Sequence, residues 1–107
     1  PEGCFRIHIK GEHWDENSYE FFEKIIFPFG YERLGKIEPV ENNGMHGHKL
    51  WYQDSKFNYV EYRFDLPKGG KHANISIMLK ADNTKITLSE LENVPVFVTL
   101  MKSLRPE

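Results

Sequence analysis

The chain has 107 residues and a mass of 12.6 kDa, which is one domain's worth. Hydrophobic residues make up 39%, with eight Phe, five Tyr and two Trp as core material, and this excludes a disordered polar chain. Fourteen basic against sixteen acidic residues give a net charge of −2, which excludes a general electrostatic attraction to nucleic acid or to an anionic membrane.

The start, "PEGCFRIHIK", lacks the apolar core of a signal peptide, and its beginning at Pro1 reads as processing or excision. Cys4 is the single cysteine, so no internal disulfide can form and a reducing compartment is the default. No apolar run reaches the length of a membrane span, and the expectation is a cytoplasmic chain. "CFRIHIK" alternates, with Phe5, Ile7 and Ile9 on one face and Arg6, His8 and Lys10 on the other, the pattern of a half-buried strand. Asp15 is placed to cap a helix over 16–27, whose apolar stripe is Tyr19, Phe22 and Ile26, widened by Ile25. Glu20 and Lys24 stand at the favourable i,i+4 spacing on its outer side, and Pro28 and Gly30 stop it. "YERLGKIEPV" predicts a second strand, limited to an edge by Pro39, and "ENNGMHG" a loop. "HKLWYQD", "FNYVEYRFDL" and "HANISIMLK" predict three more strands, with "PKGG" as a break before the last. "KITLSELENV" is ambiguous, and "PVFVTLMKSL" is a closing helix with Pro95 in its first turn.

The sum is one α+β domain over 1–107: an antiparallel, curved sheet in the order β-α-β-β-β-β-α, with helices packed on one face. Parity puts Val60, Tyr62, Phe64 and Leu66, with Ala73, Ile75, Ile77 and Leu79, on that apolar face. Tyr59, Glu61, Arg63 and Asp65, with His72, Asn74, Ser76 and Met78, take the other. A wet outer side is the commoner meaning of such a face. The sharper meaning is a cupped sheet lining a cavity, with Tyr59, Arg63 and Asn74 as ligand-binding residues for a small anionic or aromatic molecule.

The stretch "SYEFFEKIIFPFGYERLG" resembles the first helix and second strand of the vicinal oxygen chelate superfamily, the glyoxalase and bleomycin-resistance relatives. Asp15, Ser18, Phe21-Phe22, Pro28-Phe29-Gly30-Tyr31 and Leu34 stand in places comparable to its pattern. "KLWYQD" and "GGKHANISIMLKAD" extend the likeness over about the first eighty residues. The resemblance implies a small organic ligand and a cupped sheet built from βαβββ modules, with His or Glu ligands for a divalent metal on the concave face. By position these are His8, Glu61 and His72, and a metal held there would polarise a substrate oxygen. The chain ends near the second module's helix, where the family would continue, so the resemblance also implies a homodimer that completes the sheet. The cations flanking the histidine of "RIHIK" oppose a divalent ion, and five scattered His are more often solvated, so the balance favours no cofactor.

Other constellations carry less. His46 and His48 of "HGH" read as a flexible turn, and "PKGGKH" lacks the full phosphate-loop pattern. Cys4 has no adjacent base. Arg6, Lys10 and Arg63 beside Tyr59 share their faces with acidic residues, which opposes a nucleic-acid surface. No catalytic residue is assigned. The alternative from another class is a non-enzymatic protein-interaction module, of inhibitor or immunity type, on a ferredoxin-like α+β scaffold.

Overall fold

The computed structural model describes residues 5–14, 17–24, 30–68, 71–82 and 88–104. Cys4 and the expected cap, stripe and stop residues Asp15, Ile25, Ile26 and Pro28 lie outside them. The strands are β1 (Phe5–Trp14), β2 (Glu32–Arg33), β3 (Glu38–Asn42), β4 (Met45–Gln53), β5 (Phe57–Lys68) and β6 (Lys71–Asp82); the helices are α1 (Ser18–Lys24), α2 (Leu88–Leu91) and α3 (Pro95–Ser103). No helix among the described residues is long and apolar enough to cross a membrane.

The strands form one open, curved antiparallel sheet, ordered β1-β6-β5-β4-β2, with β3 also paired to β4. The stretch read as a single second strand is divided by a bend at Leu34 and Gly35 into β2 and β3, both on the same side of β4. Pro39 sits in β3 at this edge, where a missing N–H costs no ladder bond. The stretch read as a loop is instead a hairpin turn. Asn43 and Gly44 hold positive φ angles of 51° and 87° between the paired Asn42 and Met45, the two-residue turn that Asn-Gly favours. Gly47 marks a close backbone approach: a Cβ there would lie 1.8 Å from the carbonyl oxygen of Arg63.

A reciprocal capping box starts α1. The Asn17 side chain accepts from Glu20 N at 2.9 Å, and Glu20 Oε1 accepts from Asn17 N at 3.2 Å. The inward stripe is Ser18, Phe21 and Phe22, while Tyr19 stays 41% exposed. Glu20 and Lys24 make the expected outer pair, at 4.0 Å. The closing helix α3 begins at Pro95 as expected. Its last carbonyls are served from the hairpin turn: Asn42 Nδ2 donates to Met101 O at 2.9 Å and Asn43 Nδ2 to Leu104 O at 2.6 Å.

The helices do not share one face as expected: the apolar face is covered by α2 and the predicted closing helix α3, with Val60, Phe64, Ile77, Leu79, Leu91 and Phe97 at its centre. Helix α1 adds cover on the other face, where Phe21 and Phe22 pack with Leu50, Tyr52 and Tyr59. The register explains this second layer. Leu50 pairs with Glu61 and Tyr52 with Tyr59, so β4 brings an apolar patch to the face that β5 and β6 make ionisable.

Candidate functional site

The ionisable face is closed at Glu61, Arg63 and Ser76. Glu61 and Arg63 are each only 4% exposed. The Glu61 carboxylate accepts from the Tyr52 hydroxyl at 2.8 Å, Arg63 Nε at 2.7 Å and Ser76 Oγ at 2.8 Å. The Arg63 guanidinium lies 3.4 Å from the centre of the Phe21 ring. Burial first, then the Glu61 charge, pushes the Tyr52 phenol far up, so it remains a donor. Tyr59 stacks on Tyr52 with 4.7 Å between ring centres and donates to Asp54 Oδ2 at 2.6 Å. Burial and that hydrogen bond likewise push its phenol up.

The residues assigned to a metal do not come together. His8 pairs with Met78, and Met78 with Glu61, so these positions share a row of the sheet. His72 pairs with Trp14 and Pro67 at the start of β6, about 20 Å of strand away from Met78. An arginine on the Glu61 carboxylate also occupies the charge a cation would need. The set does not fit one metal ion, and among the described residues no three His, Cys, Asp or Glu gather to hold one. The Asn74 backbone stands opposite Asp65 and Glu12, away from the Tyr59 row. The side chains of His8, His72 and Asn74 lie outside the described parts.

Ser18, Asp65 and His48 form a second polar group on this face. Ser18 donates twice to Asp65, from N to Oδ1 at 2.7 Å and from Oγ to Oδ2 at 2.6 Å. Its hydroxyl proton is thereby spent, so His48 Nδ1, 2.8 Å away, donates to Ser18 Oγ. Acyl transfer needs the reverse order, with the imidazole taking the serine proton and the carboxylate behind the imidazole. Ser18 is also fully buried. The group anchors the first turn of α1 to β4 and β5. Burial lowers the His48 pKa, against the opposing pull of Asp65.

An open concavity lies on the face covered by α2 and α3. Register places Gly47 between Val40 and Phe64, and the glycine brings no side chain to that row. A cleft of about 380 Å³ lies there between the β3–β4 hairpin and α3, walled by Val40, Tyr62, Phe64, Phe97, Val98 and Met101. Its polar margin is Glu41, Asn42, Glu92 and Lys102. Glu92, between α2 and α3, ties the helical layer to the sheet. Its Oε1 accepts from Trp51 Nε1 at 2.7 Å, and its Oε2 from Lys49 Nζ at 3.0 Å and from the Tyr62 hydroxyl. Burial, then Glu92, pushes the Tyr62 phenol up and keeps it a donor.

Parity had already put Tyr62 and Phe64 on this face. Glu92 had no sequence signal, because nothing in "ELENV" tells which strand residues a loop carboxylate meets. The Asn-Gly pair of the hairpin was the signal that could have found the cleft's outer wall. No protein-family model, curated protein or solved structure matches the chain.

Proposed function

We propose that this domain binds a small organic molecule, and that the site is the cleft between the β3–β4 hairpin and α3. One observation carries the reading: a concavity of about 380 Å³ with aromatic and aliphatic walls and a few polar groups at its margin. That is the size and make-up of small-molecule sites. The resemblance to the vicinal oxygen chelate superfamily supports a small-molecule role. The site proposed here is on the opposite face from the one that resemblance implied. Glu61, Arg63 and Tyr59 serve as internal structure under α1, and no catalytic step or metal enters the proposal.

A thermal-shift screen with small organic molecules tests it. A ligand that binds only the folded state raises the melting temperature with its concentration. Such a rise is expected in the wild type and not in Val98→Trp, whose indole fills the cleft. Equal shifts in both proteins would contradict the assignment.

The protein-interaction alternative is favoured by one feature, and it takes the form of a homodimer. Strand β1 is at the end of the sheet order, paired with β6 along its whole length and, among the described residues, on that side only. Free edges of this length tend to be paired or covered. Two copies joined at β1 would continue the sheet with two-fold symmetry. Sedimentation at micromolar concentration decides: a dimer mass supports the pairing, and a monomer of 12.6 kDa refutes it.

A further inference from the structure

The two edges of the sheet differ in what they can accept. The edge opposite β1 is made of β2, two residues long, and β3, five residues long and interrupted by Pro39. Short strands and proline defend an edge against further pairing. Strand β1 is ten residues long without a proline, and its backbone pairs with β6 from Phe5 to Trp14. Among the described residues, its other side meets no strand.

A two-fold axis restricts how a second copy can continue this ladder. Where one position stands opposite another, the reverse pairing must also hold. Directly opposite residues share a face and faces alternate along a strand, so only positions of like parity can pair and the axis passes through a residue. The two centres that keep most of β1 paired are Ile9, over 5–13, and Lys10, over 6–14. Centring on Lys10 sets that lysine against its own copy, a like-charge pair. Centring on Ile9 sets Ile9 against the partner's Ile9, His8 against the partner's Lys10, and Arg6 against the partner's Glu12 on both sides of the axis. Of the shorter ladders, centring on His8 opposes Arg6 and the partner's Lys10. Centring on Gly11 matches Lys10 with the partner's Glu12, but it pairs only 8–14 and puts a glycine at the centre. Resting on the homodimer reading above, we infer that two copies join at β1 with the axis at Ile9, held in register by the two Arg6–Glu12 pairs. Charge complementarity selects this register over its neighbours.

Sedimentation equilibrium of the full chain tests it, at slightly alkaline pH, above the ordinary histidine range. Arg6→Glu and Glu12→Arg each turn two opposite-charge pairs into like-charge pairs, and each should raise the dimer Kd at least about tenfold. The double variant Arg6→Glu/Glu12→Arg restores both pairs with the charges exchanged and should return to within about threefold of the wild type. Arg6 pairs with Lys80 and Glu12 with Asn74 on β6, so neither reversal sets like charges opposite each other within one copy. Crosslinking gives a second reading that does not depend on these variants. Directly opposite cysteines lie within disulfide reach, so Ile9→Cys in a Cys4→Ser background should link the copies on mild oxidation, and Lys10→Cys should not. A wild-type monomer of 12.6 kDa would remove the homodimer reading and this inference with it. A dimer unmoved by the single reversals, a double variant as weak as either, or linkage through Lys10→Cys in place of Ile9→Cys would overturn the register while leaving the dimer.

Discussion

Replacing Glu92 by alanine should loosen the whole helical layer over the sheet. The substitution strands three donors at once: the Trp51 indole, the Tyr62 hydroxyl and the Lys49 ammonium. A half-buried donor left without an acceptor costs about 1 kcal/mol or more, so the indole and phenol together account for about 2 kcal/mol. The ion pair adds about 0.5–1 kcal/mol, kept modest because Lys49 and Glu92 side chains retain 17% and 21% exposure. The expected loss is about 3 kcal/mol, a large share of the 5–15 kcal/mol typical of a domain. Glu92→Gln keeps an acceptor for Trp51 and should lose only about 1 kcal/mol. Urea titration reads both values, with an unchanged m-value marking an intact fold. If Glu92→Ala stays within about 0.5 kcal/mol of the wild type, Glu92 does not hold the layer and the reasoning fails.

The remaining expectations concern α1, the hairpin and pH. Phe22→Ala should cost about 3–5 kcal/mol in the same titration, since Phe22 is fully buried between α1 and Leu50. Asn17→Ala should cost about 1 kcal/mol through loss of the capping box, and a loss as large as that of Phe22→Ala would mean the helix is held by its cap and not by its face. Gly47→Ala should cost about 3 kcal/mol or more, because the new Cβ meets β5 backbone and not a movable side chain; wild-type stability would show that the strands separate freely there. His48 has a lowered folded pKa, so the unfolded chain binds its proton first as pH falls. Its stabilising contribution is complete above about pH 6.5 and is lost as pH drops through the lower folded value. The stability of His48→Asn should therefore decline less than that of the wild type between pH 7 and pH 5, and parallel declines would refute the linkage.

How far the sequence reaches can be judged strand by strand. The alternation in "FNYVEYRFDL" and "HANISIMLK" placed Tyr62, Phe64, Ile75 and Ile77 correctly because period two is set by backbone pleat alone. The same parity made Glu61 and Arg63 look available, yet both are buried. Parity gives a face, and it cannot say that Leu50 and Tyr52 of a neighbouring strand make part of that face fit for a helix. The stripe of α1 was misread at Tyr19 because Ser18 is small and polar, and its burial depends on Asp65, a long-range partner. His8 and Glu61 do share a row, but the position of His72 depends on a register that no local pattern fixes. The cleft arises where a glycine in one strand meets a helix distant in sequence, and neither element carries that information by itself.

The central claim is that the binding surface lies under α3 and not on the ionisable face. Intermolecular NOEs from a small molecule that raises the melting temperature in the thermal-shift screen measure this directly. Contacts from that molecule to the methyls of Val98 and Met101, with none to Leu50 or Met78, are the expected result. Contacts to Leu50, Met78 or Tyr59 on the opposite face, without contacts to α3, would contradict it.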